Sequence, residues 1–173
     1  MTADLLLGAR FTHYLQFWRA LERTEVLPHI SRLLDRPDPK IHPWLNIVDV
    51  DTDSMQTIRF AGTQLVDYFG KDLTHTNFLD ILSPQARPVI LQAHREIVRR
   101  PCAAYHESQC STSTGREFQI LAMGLPLMRS DNKVSVAWLL EPHRTVSYGE
   151  VHILVHSVNR WTWIDLGHGV PET

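Results

Sequence analysis

Residues 57–82 read TIRFAGTQLVDYFGKDLTHTNFLDIL. The stretch opens as a β-strand over 57–61, rich in branched and aromatic side chains. Gly62 ends it, a short helix is expected over 63–68, and Gly70 is placed to cap that helix. From 73 to 82 the pattern is too short and mixed for a long element, so a turn followed by one or two helical turns is expected. Nothing here has the setting of a nucleophile or a metal ligand. The stretch encodes shape: Gly62 and Gly70 offer backbone freedom that Cβ-bearing residues resist, and Phe60, Leu65, Phe69, Phe78 and Leu79 are expected to converge over a sheet.

Upstream, Leu45-Asn-Ile-Val-Asp-Val50 reads as a short strand joined to the first by a polar turn over 51–54. Downstream, Ser83-Pro84 is a helix start, with Ser as N-cap and Pro at the first helical position. A helix is expected over 87–100, with Val89, Ile90, Ala93, Ile97 and Val98 on its apolar side and His94 beside that stripe; Pro101 stops it. The period then drops to two. Strands are expected over 103–111, 117–128 and 134–140, joined by turns at 112–115 and 130–133, and Val134, Val136, Trp138 and Leu140 share one face of the last. Two strands, small helices, one longer helix and three strands make an α+β chain: one five-stranded antiparallel sheet with short helices on one face.

The flanks carry apolar stripes of their own. Residues 11–23 place Phe11, Tyr14, Leu15, Trp18 and Leu21 at helical spacing, an amphipathic helix whose stripe packs either on its own domain or on a second copy of the chain. A proline-rich run over 35–43 reads as a linker. The tail alternates Val151, Ile153 and Val155 and then carries Trp161 and Trp163, which suggests an extra strand or an interface segment. The expected division is therefore 1–44 (helix and linker), 45–142 (compact domain) and 143–173 (extension), with Phe11, Tyr14, Trp18, Leu21, Trp161 and Trp163 as interface candidates.

Bulk properties narrow the function classes. At 173 residues, 43% apolar and 21% charged, the chain suits one soluble globular domain. A net charge of -2 and a pI near 6.5 give no global drive toward nucleic acid or an anionic membrane, and neither partner is expected. The apolar runs fall short of the ~18 residues a membrane span needs, and the N-terminus lacks the basic region of a secretory signal. If Cys102 and Cys110 share one strand they sit about eight residues at ~3.3 Å each apart, too distant for a disulfide, and with no CxxC or Cys/His cluster a cytoplasmic location is expected.

The ordered phrases Ile58-Arg-Phe-Ala-Gly-Thr63, Leu65-Val-Asp-Tyr-Phe-Gly70, Asp72-Leu-Thr74, Phe78-Leu-Asp-Ile-Leu82 and Leu125-Pro-Leu127 with the following hairpin resemble a PAS domain over about 45–142. Tyr14, Phe17-Trp18, Pro28 and the proline-rich run are similar to a stand-alone bacterial PAS subfamily. His75 departs from the pattern, standing where such sequences often have Gly after Leu-Thr, which puts the turn at 75–77 in question. The resemblance implies a cytoplasmic sensory module in signal transduction. It would bind a small ligand or a protein partner and relay through dimerisation or docking, with a homodimer expected and no catalysis of its own; the alternative is a ligandless protein–protein interaction scaffold. A sheet roofed by short helices leaves room for a small molecule, or the same aromatics fill that room. Candidate pocket residues are Phe60, Leu65, Phe69, Phe78, Leu79, Ile90, His94, Ile97 and Trp138. Because some haem-binding PAS domains place an axial His on the long helix, the resemblance makes His94 the candidate haem ligand. Covalent flavin chemistry of light-sensing relatives needs a cysteine in an Asn-Cys-Arg-Phe-Leu-Gln setting; Thr76-Asn-Phe-Leu-Asp80 has none, which leaves non-covalent flavin.

Other chemistry is weakly signalled. His152 and His156 share a face on a strand or a helix, but no carboxylate or cysteine follows at metal-ligand spacing, so no metal is expected. Asp49, Asp51 and Asp53 alternate through a strand and turn without the Gly and Glu of a calcium loop and read as a solvated turn. Arg87, Arg95, Arg99 and Arg100 form a basic helix end that complements the helix dipole. Phosphate-loop, dinucleotide and nucleophile-elbow motifs are absent. An enzyme would need His94 or His106 paired with a carboxylate inside the pocket.

Overall fold

A computed structural model describes residues 7–23, 25–142 and 153–172. Val151 and His152, named above in the tail, lie outside them. In chain order the elements are α1 (Ala9–Arg19), α2 (Ile30–Leu34), β1 (Leu45–Val50), β2 (Gln56–Ala61), α3 (Thr63–Phe69), α4 (Ala86–Arg99), β3 (Cys102–Thr112), β4 (Glu117–Met128), β5 (Val134–Pro142) and β6 (Ile153–Asp165), with short 3-10 turns at His42–Trp44 and Phe78–Ile81. The strands form one sheet in the order β2-β1-β5-β4-β3-β6, and each neighbouring pair is antiparallel. The α+β expectation holds, but the sheet has six strands and not five, because β6 from the tail adds to the edge of β3 from Cys102↔Asp165 to Thr112↔Ile153.

The opening stretch bends for three separate reasons. Gly70 ends α3 in the left-handed region at φ 69°, the helix cap read from the sequence. Gly62 has ordinary extended dihedrals, φ −66° and ψ 156°, so conformational freedom is not its use. A Cβ there would lie 2.1 Å from the His42 carbonyl oxygen and 2.4 Å from that of Pro43, so glycine is required by the close approach of two backbones. His75 itself adopts φ 66°, the conformation glycine favours, while its N–H donates to the Ile58 carbonyl at 2.8 Å.

Both faces of the sheet are covered, the short helices after β2 on one and the N-terminal segment on the other. On the inner face α3, the 3-10 turn at Phe78–Ile81 and α4 enclose a core that includes Ile58, Phe69, Phe78, Ile90, Ile97 and Trp138. On the outer face α1, α2 and the segment up to Trp44 cover Ile47, Met123, Leu125, Ala137 and Leu139. Leu33 and Ile41 are fully buried there, so residues before β1 pack on the sheet and do not hang off it as a linker.

Helix α4 turns Ala86, Ile90, Ala93, His94 and Ile97 inward, whereas Val89 and Val98 stay 42% and 41% exposed. Its start is set by Ser83, whose hydroxyl accepts from the Ala86 N–H at 3.1 Å. Cys102 and Cys110 lie on β3, both buried and unbridged. No helix among the described residues is long and apolar enough to cross a membrane.

Candidate functional site

Between α4 and the inner face lies a small cavity of about 40 Å³. At ~10–15 Å³ per water this holds about three water molecules. Phe69, Phe78, Ile90 and Trp138 form much of its apolar wall; Asn46, Ser108 and His106 bring polar atoms to it. The polar trio arises from strand alternation: Asn46 and Val48 of β1 face inward while Leu45 and Ile47 face outward. On β3 His106, Ser108 and Cys110 take successive inward positions.

Beneath the cavity runs a hydrogen-bonded histidine relay. The His94 Nε2 accepts from the Trp138 indole N–H at 2.9 Å, which puts the proton on Nδ1, and Nδ1 donates to the Gln56 Oε1 at 2.6 Å. Trp138 lies flat on the sheet because Gly124 is opposite it; a Cβ on Gly124 would meet the ring at 2.8 Å. His106 hydrogen-bonds to the Ser108 hydroxyl at 3.1 Å, packs edge-on against Trp138, and stacks on Trp161 with centroids 5.0 Å apart and planes 8° apart. Burial holds both imidazoles neutral, lowering His94 and His106 from the ordinary 6.5 to about 3, with His94 adding a smaller push on His106. Burial likewise pushes the Cys110 thiol up to about 12. The site is a neutral pocket, and among the described residues the buried Asn46 Oδ1 on its wall takes no hydrogen bond.

The cavity is closed by the tail. Val155 of β6 completes its wall beside Ile81 and Leu82. Ser83 clasps the strand there: its N–H donates to the Val155 carbonyl at 2.8 Å and its hydroxyl to the His156 carbonyl at 2.7 Å. Ser83 therefore ties the start of α4 to β6 directly beside the cavity wall.

Of the residues expected in the pocket, Phe69, Phe78, Ile90 and Trp138 line it. Leu65, Leu79 and Ile97 belong to the same core without lining the cavity. His94 is fully buried behind the wall with both ring nitrogens bonded. Phe60 is on the opposite face, packed against the outer core. A shift of register between Ile47 and Val48 pairs Ile47 with Phe60 but Val48 with Ile58, so Ile58 points inward and Phe60, two residues on, points outward. The other lining residues were missed, Asn46, His106, Ser108, Cys110 and Val155 among them; period-two alternation on β1 and β3 was the signal for the first four.

The flank residues also resolve. Phe11, Tyr14, Trp18 and Leu21, offered as interface candidates, are at most 3% exposed and bury against their own sheet. Two of them are anchored, the Tyr14 hydroxyl to the Ala137 carbonyl at 2.8 Å and the Trp18 indole N–H to the Pro126 carbonyl at 2.9 Å. Trp161 and Trp163 are half-buried on β6 and floor an apolar groove against Pro88 and Val89 of α4. Asp49 is a correction to the solvated-turn reading: 5% exposed, it takes a two-pronged Arg59 contact at 2.9 and 2.6 Å and the Ser135 hydroxyl at 2.6 Å. Asp51 pairs with Arg129 and Asp53 with Arg95.

Haem does not fit this site. Coordination through His94 Nε2 would take the acceptor from the Trp138 indole and need a macrocycle's space where about 40 Å³ exists. A flavin meets the same shortage of space, since small-molecule sites run to ~300–1,000 Å³. No cluster of three or more His, Cys, Asp or Glu suited to a metal occurs among the described residues. Among the described residues no carboxylate lines the cavity.

A family model described as PAS domain matches residues 10–140, and the chain belongs to that family. The match includes α1 and α2, in keeping with their burial on the sheet. No curated protein matches the chain. Similar solved structures include the light state of the blue-light photoreceptor Aureochrome1 LOV, at 16% identity and a TM-score of 0.45, covering 60% of this chain and 83% of that one. A fungal LOV domain photoreceptor is similar at 17% identity and a TM-score of 0.45, covering 65% and 88%.

Proposed function

We propose that this member of the PAS-domain family is a sensory or regulatory module, without catalysis of its own, in which a small neutral molecule enters the cavity and shifts the docking of β6. The observation that carries the reading is the shared wall: Val155 closes the cavity and the adjoining backbone is held by Ser83. A molecule larger than about three waters enters only when that wall moves, so occupancy and strand release are one equilibrium. The chemistry asks for a neutral guest with a donor, because the lining is apolar, both histidines are uncharged and Asn46 Oδ1 lacks a partner. Released β6, with Trp161 and Trp163, then presents an apolar strand to a second copy or a protein partner in the cytoplasm.

The test is native mass spectrometry of the purified protein, followed by amide hydrogen exchange with phenol as the neutral probe. The expected result is bound probe with faster exchange along β6, both lost in Ala122→Leu, which fills the cavity. An empty protein whose β6 exchange ignores phenol would overturn the ligand half. The tightness of the cavity favours a second reading in that case, a ligandless scaffold that docks through the groove at Trp161 and Trp163. Trp161→Asp then changes the mass in solution or the recovery of a partner; no change in either would count against the scaffold.

A further inference from the structure

On the outer face, away from the cavity, a second pocket of about 420 Å³ opens where the end of α1, the segment after it, the α4–β3 joint and the turn after β6 meet. That volume is within the ~300–1,000 Å³ of small-molecule sites. Trp18, Leu27 and Leu166 supply apolar wall, Arg19, Arg23 and His168 supply cationic or donor groups, and no carboxylate is among the lining residues.

The walls are held in place by a set of hydrogen bonds. Trp18 is fixed by its indole bond to the Pro126 carbonyl at 2.9 Å. Arg23 lies over the Trp18 ring, its Cζ 4.5 Å from the centroid, while its Nη1 and Nη2 donate to the Arg19 and Trp18 carbonyls at 3.2 Å. The turn carrying His168 is wound on Asp165, whose Oδ1 accepts the N–H groups of Gly167, His168 and Gly169 at 2.7, 3.1 and 2.9 Å. Arg100 donates to the Val170 carbonyl and ties down the chain beyond it. Asp165 holds that turn and Glu22 pairs with Arg32 at 3.2 Å, while Glu25, beside the lining residue Val26, is exposed and does not line the pocket. Arg19 is different. It is exposed and takes no ion pair or side-chain hydrogen bond among the described residues, so its planar fork is open at the rim.

We propose that this pocket binds a small carboxylate with an apolar body, such as an aromatic or short aliphatic acid. The open Arg19 guanidinium takes the carboxylate in a two-pronged contact, Arg23 and His168 add donors, and Trp18, Leu27 and Leu166 cover the hydrocarbon. One free fork set in an apolar wall suits a monoanion with a body better than a bare phosphate. The guest would bridge α1 to the chain after β6, the two flanks of the domain, without touching the inner cavity. The site thus stands whether or not the cavity is occupied.

The experiment is calorimetric titration of the full chain, at near-neutral pH and physiological salt, with benzoate, benzyl alcohol and inorganic phosphate. Benzoate is expected to bind one to one and about tenfold or more tighter than either control, since each control lacks the body or the charge. Arg19→Ala is expected to lose about tenfold or more of benzoate affinity, and Arg19→Lys to recover part of it. Because Arg19 is exposed, both variants keep the wild-type fold, checked by their thermal midpoints. Phosphate binding as tightly as benzoate, benzoate affinity unchanged in Arg19→Ala, or no benzoate binding at millimolar concentration would each overturn the proposal.

Discussion

Acidification from about pH 7.5 to about pH 5 should remove about 4 kcal/mol of folding stability through His94 and His106 together. Both are held near 3 in the folded protein against an ordinary 6.5. Between those values the unfolded chain binds protons that the folded chain refuses, so their contribution is complete above 6.5 and drains away as pH falls toward about 3. Each pH unit below 6.5 is worth ~1.4 kcal/mol per group, and pH 5 lies about 1.5 units down, giving ~2 kcal/mol for each histidine. The figure is insensitive to the folded value because pH 5 is still well above it. For His94 the hydrogen bonds add a reason beyond burial: a proton on Nε2 would face the Trp138 N–H, leaving two donors and no acceptor. The assay is urea unfolding followed by tryptophan fluorescence at both pH values, for wild type and His106→Phe. Phenylalanine keeps the ring stack on Trp161 and removes one titrating group, so the variant should lose ~2 kcal/mol less than wild type between the two conditions. Surface carboxylates and the other histidines cancel in that difference. Equal losses in both proteins, within ~0.5 kcal/mol, would refute the neutral buried imidazole.

Three further substitutions probe separate links. Gly124→Ala pushes a methyl into the Trp138 ring at 2.8 Å and strains the indole bond to His94, at an expected cost of about 2–4 kcal/mol in urea titration; adding Trp138→Phe should recover part, and a loss below ~0.5 kcal/mol would sink the packing argument. His75→Gly relieves a left-handed backbone at ~1–2 kcal/mol but adds unfolded-state entropy at ~0.4–1, so a net gain of about 0.5–1 kcal/mol in thermal unfolding is expected, and destabilisation would contradict it. Ser83→Ala removes both the helix cap and the β6 clasp, an expected ~1–2 kcal/mol; amide exchange should quicken along β6 and leave β1 and β5 unchanged, and uniform quickening would show that the clasp is not local.

Much of this protein is legible one element at a time. The strand–helix–strand order, the Gly70 cap, the Ser83 start of α4 and the inward row on β3 all follow from neighbours a few residues apart, because propensity, capping and alternation are local forces. Phe69, Phe78, Ile90 and Trp138 reached the pocket wall for the same reason.

What periodicity cannot express is register between elements. One shifted pairing beside Val48 sent Phe60 to the outer face, and only the fold of the segment before β1 back onto the sheet turned the α1 stripe from a candidate interface into core. The requirement for glycine at position 62 comes from a backbone twenty residues earlier in the chain, and His94 lost its candidacy as a ligand to Gln56 and Trp138, each distant in sequence. The size of the cavity is likewise a remainder, the space left after every side chain has docked. Composition and spacing determined which surfaces must be buried; tertiary structure alone decided against what, since burial is demanded by each segment but its partner is chosen by the whole chain.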